Sequence, residues 1–267
     1  MVVAVRDSVQ ALPRCLDSII GQNDAEVDLV VIDGASTDGT VELLEARSGE
    51  IGSWVSEPDR GVYDAWNKAL DHARGDWLCF LGSDDRFAEK DVLARMAPHL
   101  AAKPARVVYG ITQVMDEAGM PKGSMGIPWE EARPALDRRM SLPNPSTFFH
   151  RDLFRDHGRF DARFRIAGDY EFLLRELATQ AAFFVPDVVV TIMGAGGLSQ
   201  APRNRPLSLR EGARARRLNG LPATPDWRSY EIYEAYWYAW MNRWFGEVGA
   251  ERVWSRYQSV RRRLAGA

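Results

Sequence analysis

The first hundred residues alternate short apolar runs with amphipathic stretches, the pattern of buried strands separated by helices. Val2-Val3-Ala4-Val5 predicts a buried strand, begun so abruptly at Met1 that a few residues of it are expected to be missing ahead. Leu12, Leu16, Ile19 and Ile20 recur at helical spacing. Leu29-Val30-Val31-Ile32 predicts a second strand, ending on Asp33 and the turn-rich segment 34–39. Thr37 or Asp38 is expected to cap the helix that follows. Further strands are predicted over 51–56, 77–81, 106–109 and 182–191. Helices are predicted over 62–74, 90–100, 148–154 and 170–177, with Gly75 closing the first of these four at its C′ position. Residues 112–139, rich in Gly, Pro and Met with weak periodicity, read as a loop-like insertion, and 226–264 as a helical tail. Repeated strand–helix alternation predicts an α/β chain with a mainly parallel sheet and helices on both faces.

Composition excludes some functions without choosing one. The 267 residues are 46% hydrophobic and 27% charged, ordinary for a globular chain long enough to bury a large core. A net charge of −3 gives no whole-chain electrostatic case for nucleic acid. Cys15 and Cys79 lie in no metal-ligand or disulfide spacing, and Cys79, inside the apolar run 77–81, reads as a small buried hydrophobe. The N-terminus lacks the pattern of a signal peptide. The longest apolar stretch, 181–198, is broken by Pro186, Asp187 and three glycines, so it does not predict a membrane span. A cytoplasmic protein is expected.

Chemistry enters where strands end. Asp33 follows one strand and Asp84-Asp85 another, and open parallel sheets bind ligands beyond the carboxyl ends of their strands. A pocket lined with carboxylates repels a diphosphate unless a divalent cation stands between them, and Mg²⁺ or Mn²⁺ suits one or two carboxylates completed by phosphate oxygens and water. Taken alone, Ser83-Asp84-Asp85 equally suits a helix cap. Asp64, Asn67 and Lys68 share one face of a short helix after Gly61. That face either lines an anion pocket at the helix N-terminus or carries an Asp64–Lys68 surface pair.

Four segments in order carry a resemblance. Val31-Ile32-Asp33-Gly34-Ala35-Ser36-Thr37-Asp38-Gly39-Thr40, Ser56-Glu57-Pro58-Asp59-Arg60-Gly61-Val62-Tyr63-Asp64-Ala65-Trp66-Asn67-Lys68, Gly75-Asp76-Trp77-Leu78-Cys79-Phe80-Leu81-Gly82-Ser83-Asp84-Asp85 and Ala167-Gly168-Asp169-Tyr170-Glu171 resemble family 2 glycosyltransferases of the GT-A fold, the bacterial polysaccharide type. The likeness runs from about residue 2 to residue 200. It implies a GT-A catalytic domain over 1–205, with a nucleotide-sugar half to about 110 and an acceptor half after it, and a helical extension over 206–267. It also implies that Asp33, with Ser36, Asp38, Asp64, Asn67, Lys68 and Asp84, meets the nucleotide of a sugar donor, UDP by family habit. Asp85 with Asp84 would hold Mn²⁺ or Mg²⁺, and Asp169 would be the base of an inverting transfer to a glycan or lipid-linked hydroxyl. Gly34, Gly82 and Gly168 stand where many relatives carry an acid. His150, in the segment 143–151 that would border the acceptor, is expected to be structural, and a glycine-containing loop over 194–199 is either a lid on the diphosphate or a plain turn.

Trp227, Tyr230, Tyr233, Tyr236, Trp237, Trp240 and Trp244 form a stripe at helical spacing between arginine clusters. The stripe suits packing against the core or a second subunit; alternatively it lies on an anionic membrane at the inner face of the cell. Two rival functions stay open. A nucleotidyltransferase would want a Gly-rich phosphate loop after the first strand, where Val5-Arg6-Asp7-Ser8 offers none. A non-catalytic binding protein of the same fold would tolerate the glycines in acidic motifs.

Overall fold

A computed structural model describes residues 1–116, 119–194, 197, 201–222 and 230–265. Four strands, β1 (Val2–Val5), β2 (Val30–Asp33), β3 (Ser53–Ser56) and β4 (Trp77–Gly82), run parallel in the order β3-β2-β1-β4. Strand alternation sends Val2, Val30, Ile32, Leu78 and Phe80 to one face of the sheet, and Val3, Val31, Cys79 and Leu81 to the other. Both faces are apolar because both are covered. On one, α1 (Leu12–Ile20), α2 (Thr40–Ala46) and, later, α4 (Val92–Ala102) supply Leu12, Leu16, Leu44 and Met96. On the other lie α3 (Val62–His72), α5 (Trp129–Leu136), α6 (Asp152–His157), α7 (Gly168–Leu177) and α8 (Arg205–Leu218).

The GT-A expectation of a strand–helix sheet with a helical C-terminal region holds, and the sheet is mixed. β4 pairs antiparallel with β8 (Thr147–His150), β8 antiparallel with β6 (Val107–Met115), and β6 parallel with β9 (Phe183–Met193). β5 (Arg86–Phe87) closes on β9, and β7 (Pro121–Met125) folds back on β6.

Several local expectations are corrected. Residues 112–139 are not an unstructured insertion: β6 runs on to Met115, β7 returns, and α5 buries Ala132 and Leu136. Residues 148–154 are not one helix, because Thr147 to His150 are claimed by backbone pairing between β4 and β6 and only Asp152 onward is helical. α3 stops at His72, where Ala73 turns extended at ψ 130°, so Gly75 does not close it. The residue capping α2 is Gly39, at φ 102°, and Asp38 reaches past it to the Thr40 N–H at 3.0 Å. α8 starts at Arg205 and buries Ala215 in the main core.

The tail is not one rod. Within α9 (Tyr230–Ala265) the backbone breaks at Gly246, φ 68° and ψ 172°. Tyr238 meets Trp254 at 5.4 Å and Trp237 meets Tyr257 at 5.3 Å between ring centroids. A straight helix would hold residues 238 and 254 about 24 Å apart, so the chain doubles back as a hairpin. Tyr238, Met241 and Ala250 are buried in its seam, while Tyr236, Trp237, Trp240, Trp244 and Phe245 are exposed. The seam is thus built by residues outside the expected stripe, whose described side chains, Tyr236, Trp237, Trp240 and Trp244, are exposed; the side chains of Trp227, Tyr230 and Tyr233 lie outside the described residues. Among the described residues no helix is long and apolar enough to cross a membrane.

The chain packs closely at Gly110, where a Cβ would stand 2.6 Å from Val190 Cγ2 and 2.9 Å from the Val188 carbonyl. Gly110→Ala should lower unfolding free energy by about 1–3 kcal/mol, read in a urea titration, with β6 and β9 losing amide protection first.

Candidate active site

The parallel strands finish along one edge. Asp33 ends β2 in register with Val5 and Ser56, and Gly82 ends β4 beside Ala4. Asp33 is fully buried. Its Oδ2 accepts the Ser36 N–H at 3.0 Å and the Ser56 hydroxyl at 2.6 Å, and Oδ1 accepts the Ser36 hydroxyl. Ser36 Oγ in turn accepts the Asp7 N–H at 2.7 Å, and Asp38 Oδ2 the Val9 N–H at 3.0 Å. Asp33, Ser36 and Asp38 thus zip the β1–α1 and β2–α2 turns together, with Asp7 and Ala35 held at φ 47° and 59°. Hydrogen bonds from Thr40 and Val9 hold the Asp38 carboxyl below its usual range. Gly34 has a local cause: the Asp59 carboxylate occupies the space its Cβ would need.

Asp85 sits at the end of β4, 6% exposed. Its Oδ2 accepts only the Gly82 N–H, at 3.1 Å, and its Oδ1 is buried without a partner, the only such carboxylate oxygen among the described residues. Burial first, and then the neighbouring Asp84, pushes the Asp85 carboxyl up to about 7. Gly82 makes room for the pair: a Cβ there would lie 2.8 Å from Asp84 Oδ1 and 3.2 Å from Asp85 Oδ2. A bare buried oxygen beside a second carboxylate fits a divalent cation, which would satisfy the one and neutralise both. No group of three His, Cys, Asp or Glu assembles among the described residues, so phosphate oxygens and water would complete the shell.

Asp169 opens α7. Its Oδ1 accepts the Tyr63 hydroxyl at 2.9 Å and the Tyr170 N–H at 2.8 Å, while among the described residues nothing donates to Oδ2. Close packing raises its carboxyl to about 6 against the pull of those two donors. Tyr63 comes from the first turn of α3, which follows β3, so Asp169 stands at the same sheet edge as Asp33 and Asp85. Gly168 is required by that contact, because a Cβ would lie 2.8 Å from the Tyr63 ring.

A family model described as "Glycosyl transferase family 2" matches residues 1–154. A PGL/p-HBAD biosynthesis glycosyltransferase of Mycobacterium bovis BCG is 31% identical over 229 residues, 80% of this chain and 86% of the relative. This chain belongs to glycosyl transferase family 2. The fold agrees with two solved structures, each 18% identical to it. Staphylococcus aureus TarS 1–349 in complex with UDP-GlcNAc aligns with TM-score 0.63 over 80% of this chain and 65% of that one. The mannosyltransferase PcManGT of Pyrobaculum calidifontis in complex with GDP-Man and Mn²⁺ aligns with TM-score 0.64 over 97% and 79%.

Not every residue expected at the site of this family 2 glycosyltransferase reaches it. Both ends of the Asn67 amide are taken by the Phe160 backbone, at 2.8 and 3.0 Å. Lys68 bonds the Pro58 carbonyl and pairs with Glu57, each at 2.8 Å, and Asp64 pairs with Arg60 at 2.7 Å. No Asp64–Lys68 bridge forms, and these side chains brace α3 against its neighbours. Asp33 likewise offers no open face, and acts through the turn it organises. His150 packs edge-on to Trp77 at 5.0 Å, as a structural residue would. Of the 194–199 loop only Gly194 and Gly197 are described, and a Cβ on either would lie within 4 Å of Asp84.

Sequence reasoning passed over Tyr63, although it lay in a quoted motif, because an aromatic on an amphipathic helix reads as core. It passed over Arg14 and Arg86 too, which with Asp84, Asp85, Asp116 and Gly194 line a cavity of about 300 Å³. A larger cavity of about 540 Å³ lies at the opposite sheet edge, where Arg106 is already paired with Glu176 and Asp156.

Because the folded protein raises the Asp85 carboxyl, ionised Asp85 opposes folding at pH 8, above that midpoint. Asp85→Asn should therefore keep or raise the melting temperature of cation-free protein by a few degrees while abolishing Mn²⁺ binding in calorimetry.

Proposed function

We propose that this chain transfers a sugar from a nucleoside-diphosphate sugar, UDP-linked first, to a hydroxyl of a glycan or lipid-linked acceptor, with inversion at the anomeric carbon. The observation that carries the reading is the pairing, along one sheet edge, of a half-satisfied carboxylate, Asp169, with an unsatisfied one, Asp85. Nucleotide-sugar donors in two structural neighbours, one holding Mn²⁺ as well, support the donor class and the cation.

In this reading the nucleotide rests on the turn built by Asp33, Ser36 and Asp38, beside Asp84. Asp85, helped by Asp84, holds Mn²⁺ or Mg²⁺, which when bound supplies charge stabilisation to the departing nucleoside diphosphate. Arg14 and Arg86 add positive charge at the same cavity. Asp169 Oδ2 takes the proton of the acceptor hydroxyl as the new oxygen–carbon bond forms and the sugar–phosphate bond breaks. Tyr63 holds the other oxygen and so fixes the direction of the free one. A scaffold without catalysis would have no use for that free lone pair.

The acceptor's surroundings are also part of the reading. Residues 205–267 carry twelve arginines against six carboxylates, while the whole chain is at −3. Exposed Trp240, Trp244 and Phe245 flank Gly246, and Arg243, Arg252 and Arg256 are exposed beside them. Aromatic rings with arginines suit the headgroup layer of an anionic membrane, where a lipid-linked acceptor would wait. In this reading the protein works at the cytoplasmic face, peripherally attached.

Three measurements test these readings. Asp169→Asn should cut turnover by ~10²–10⁴-fold, about 3–5 kcal/mol of barrier, with UDP binding in Mn²⁺ unchanged. A base must be ionised to work, so wild-type turnover should be half-maximal near pH 6, the Asp169 midpoint, approach its plateau well above it and fall below it. Vesicles rich in phosphatidylglycerol should sediment the protein at low salt and lose it in Trp240→Ala/Trp244→Ala/Phe245→Ala; equal recovery of both proteins removes the membrane reading.

A further inference from the structure

The backbone just ahead of Asp169 is gripped from two sides, and one grip comes from beyond the segment matched by the family model. Glu211 lies on α8, 6% exposed. Its Oε1 accepts the Arg165 N–H at 2.9 Å, and its Oε2 accepts the N–H groups of Ile166 at 2.8 Å and Ala167 at 3.0 Å. From the other side the Ile166 carbonyl lies 2.7 Å from the Tyr63 hydroxyl and shares its single proton with Asp169 Oδ1. α7 begins at the next residue, and its N-cap, Ala167, has no side chain able to cap it. Glu211 and Tyr63 therefore set where this helix starts and which way Asp169 points. α8 is itself fixed, with the Arg214 guanidinium 4.6 Å from the Phe164 ring centroid and the Arg216 guanidinium on the Arg138 carbonyl at 2.5 Å.

Among the described residues no arginine or lysine pairs with Glu211, so three backbone N–H groups alone hold a buried negative charge behind a second carboxylate. Helix anchoring without charge would be achieved more cheaply by a neutral side chain.

We infer that Glu211 is a positioning residue for Asp169: it fixes the 165–167 backbone and sets a negative charge behind the carboxylate that takes the acceptor's proton. This rests on the reading of Asp169 as the base. Three groups face Asp169: the Tyr63 hydroxyl from α3, the Tyr170 N–H of its own helix and the Glu211 carboxylate from α8. Glu211 favours the protonated form by repulsion, and Tyr63 favours the ionised form by donating to it. Removing them should therefore move Asp169 in opposite directions.

The full chain, labelled with ¹³Cγ-aspartate, reports this directly, the Asp169 signal being the one lost in Asp169→Asn. Wild-type Asp169 should titrate near 6. Glu211→Gln should lower the midpoint and Tyr63→Phe should raise it. General loosening would admit water and lower both, so a fall in both variants, or no change in Glu211→Gln, overturns the proposal. Should Glu211→Gln not fold, Glu211→Asp keeps the charge and shortens the reach. Faster amide exchange at 165–167 with the midpoint still raised would then support the assignment, and unchanged exchange would overturn it. An Asp169→Asn enzyme with wild-type turnover would sink the base reading instead, leaving the titration result intact.

Discussion

A carboxylate removed from water must find donors, a counter-charge or a proton, and this fold gathers its acids where each finds a different share of them. Asp33 is fully buried and has three donors. Asp169 has two, both on one oxygen. Asp85 has one, and its second oxygen has none. In the proposed reading this ranking separates three roles: the satisfied acid shapes a turn, the half-satisfied one takes a proton, and the unsatisfied one holds a cation. Asp85 and Asp169 have midpoints raised to about 7 and about 6, the signature of acids held in a state the fold alone does not favour.

What keeps these groups in place is apolar. Phe160 touches Tyr63, Trp66, Phe80, Phe154 and Phe172, with ring centroids 4.8–5.8 Å apart. These rings join β4, α3, α6 and α7 into one block, so the Tyr63 hydroxyl and Asp169 cannot drift independently. Asn67 reinforces the block by holding the Phe160 backbone at both its N–H and its carbonyl. α3 is thus bound through its interior, and its first turn is free to serve the site. The Asn67 side chain holds Phe160, whose ring packs on Tyr63, the partner of Asp169.

The glycines at acidic motif positions follow the same logic. Gly34 yields its space to Asp59, Gly82 to the Asp84–Asp85 pair and Gly168 to the Tyr63 ring. In each case a neighbour fills the volume that an acidic side chain would need, so the departures from the commoner family pattern are compensated substitutions. They leave the carboxylate count at the edge low, and raise the importance of the ones that stay.

The chain's own pattern determined the alternating strands and helices of the first hundred residues, their burial on two faces and the acids at the strand ends. These depend on periodicity and on neighbours a few positions apart, which a sequence displays directly. Four motifs in order were enough for the family. The sequence did not show that Thr147 to His150 is a strand, that 112–139 holds β7 and α5, or that the tail folds at Gly246, because pairing with distant segments decided each. Glu211 and Tyr63 were hidden for the same reason. Glu211 lies forty-two positions from Asp169 and looks like any helix-surface acid, and only packing of α8 against the 165–167 backbone gives it a role. Local propensity writes the elements; the cost of leaving polar groups unmatched in the interior decides which of them meet.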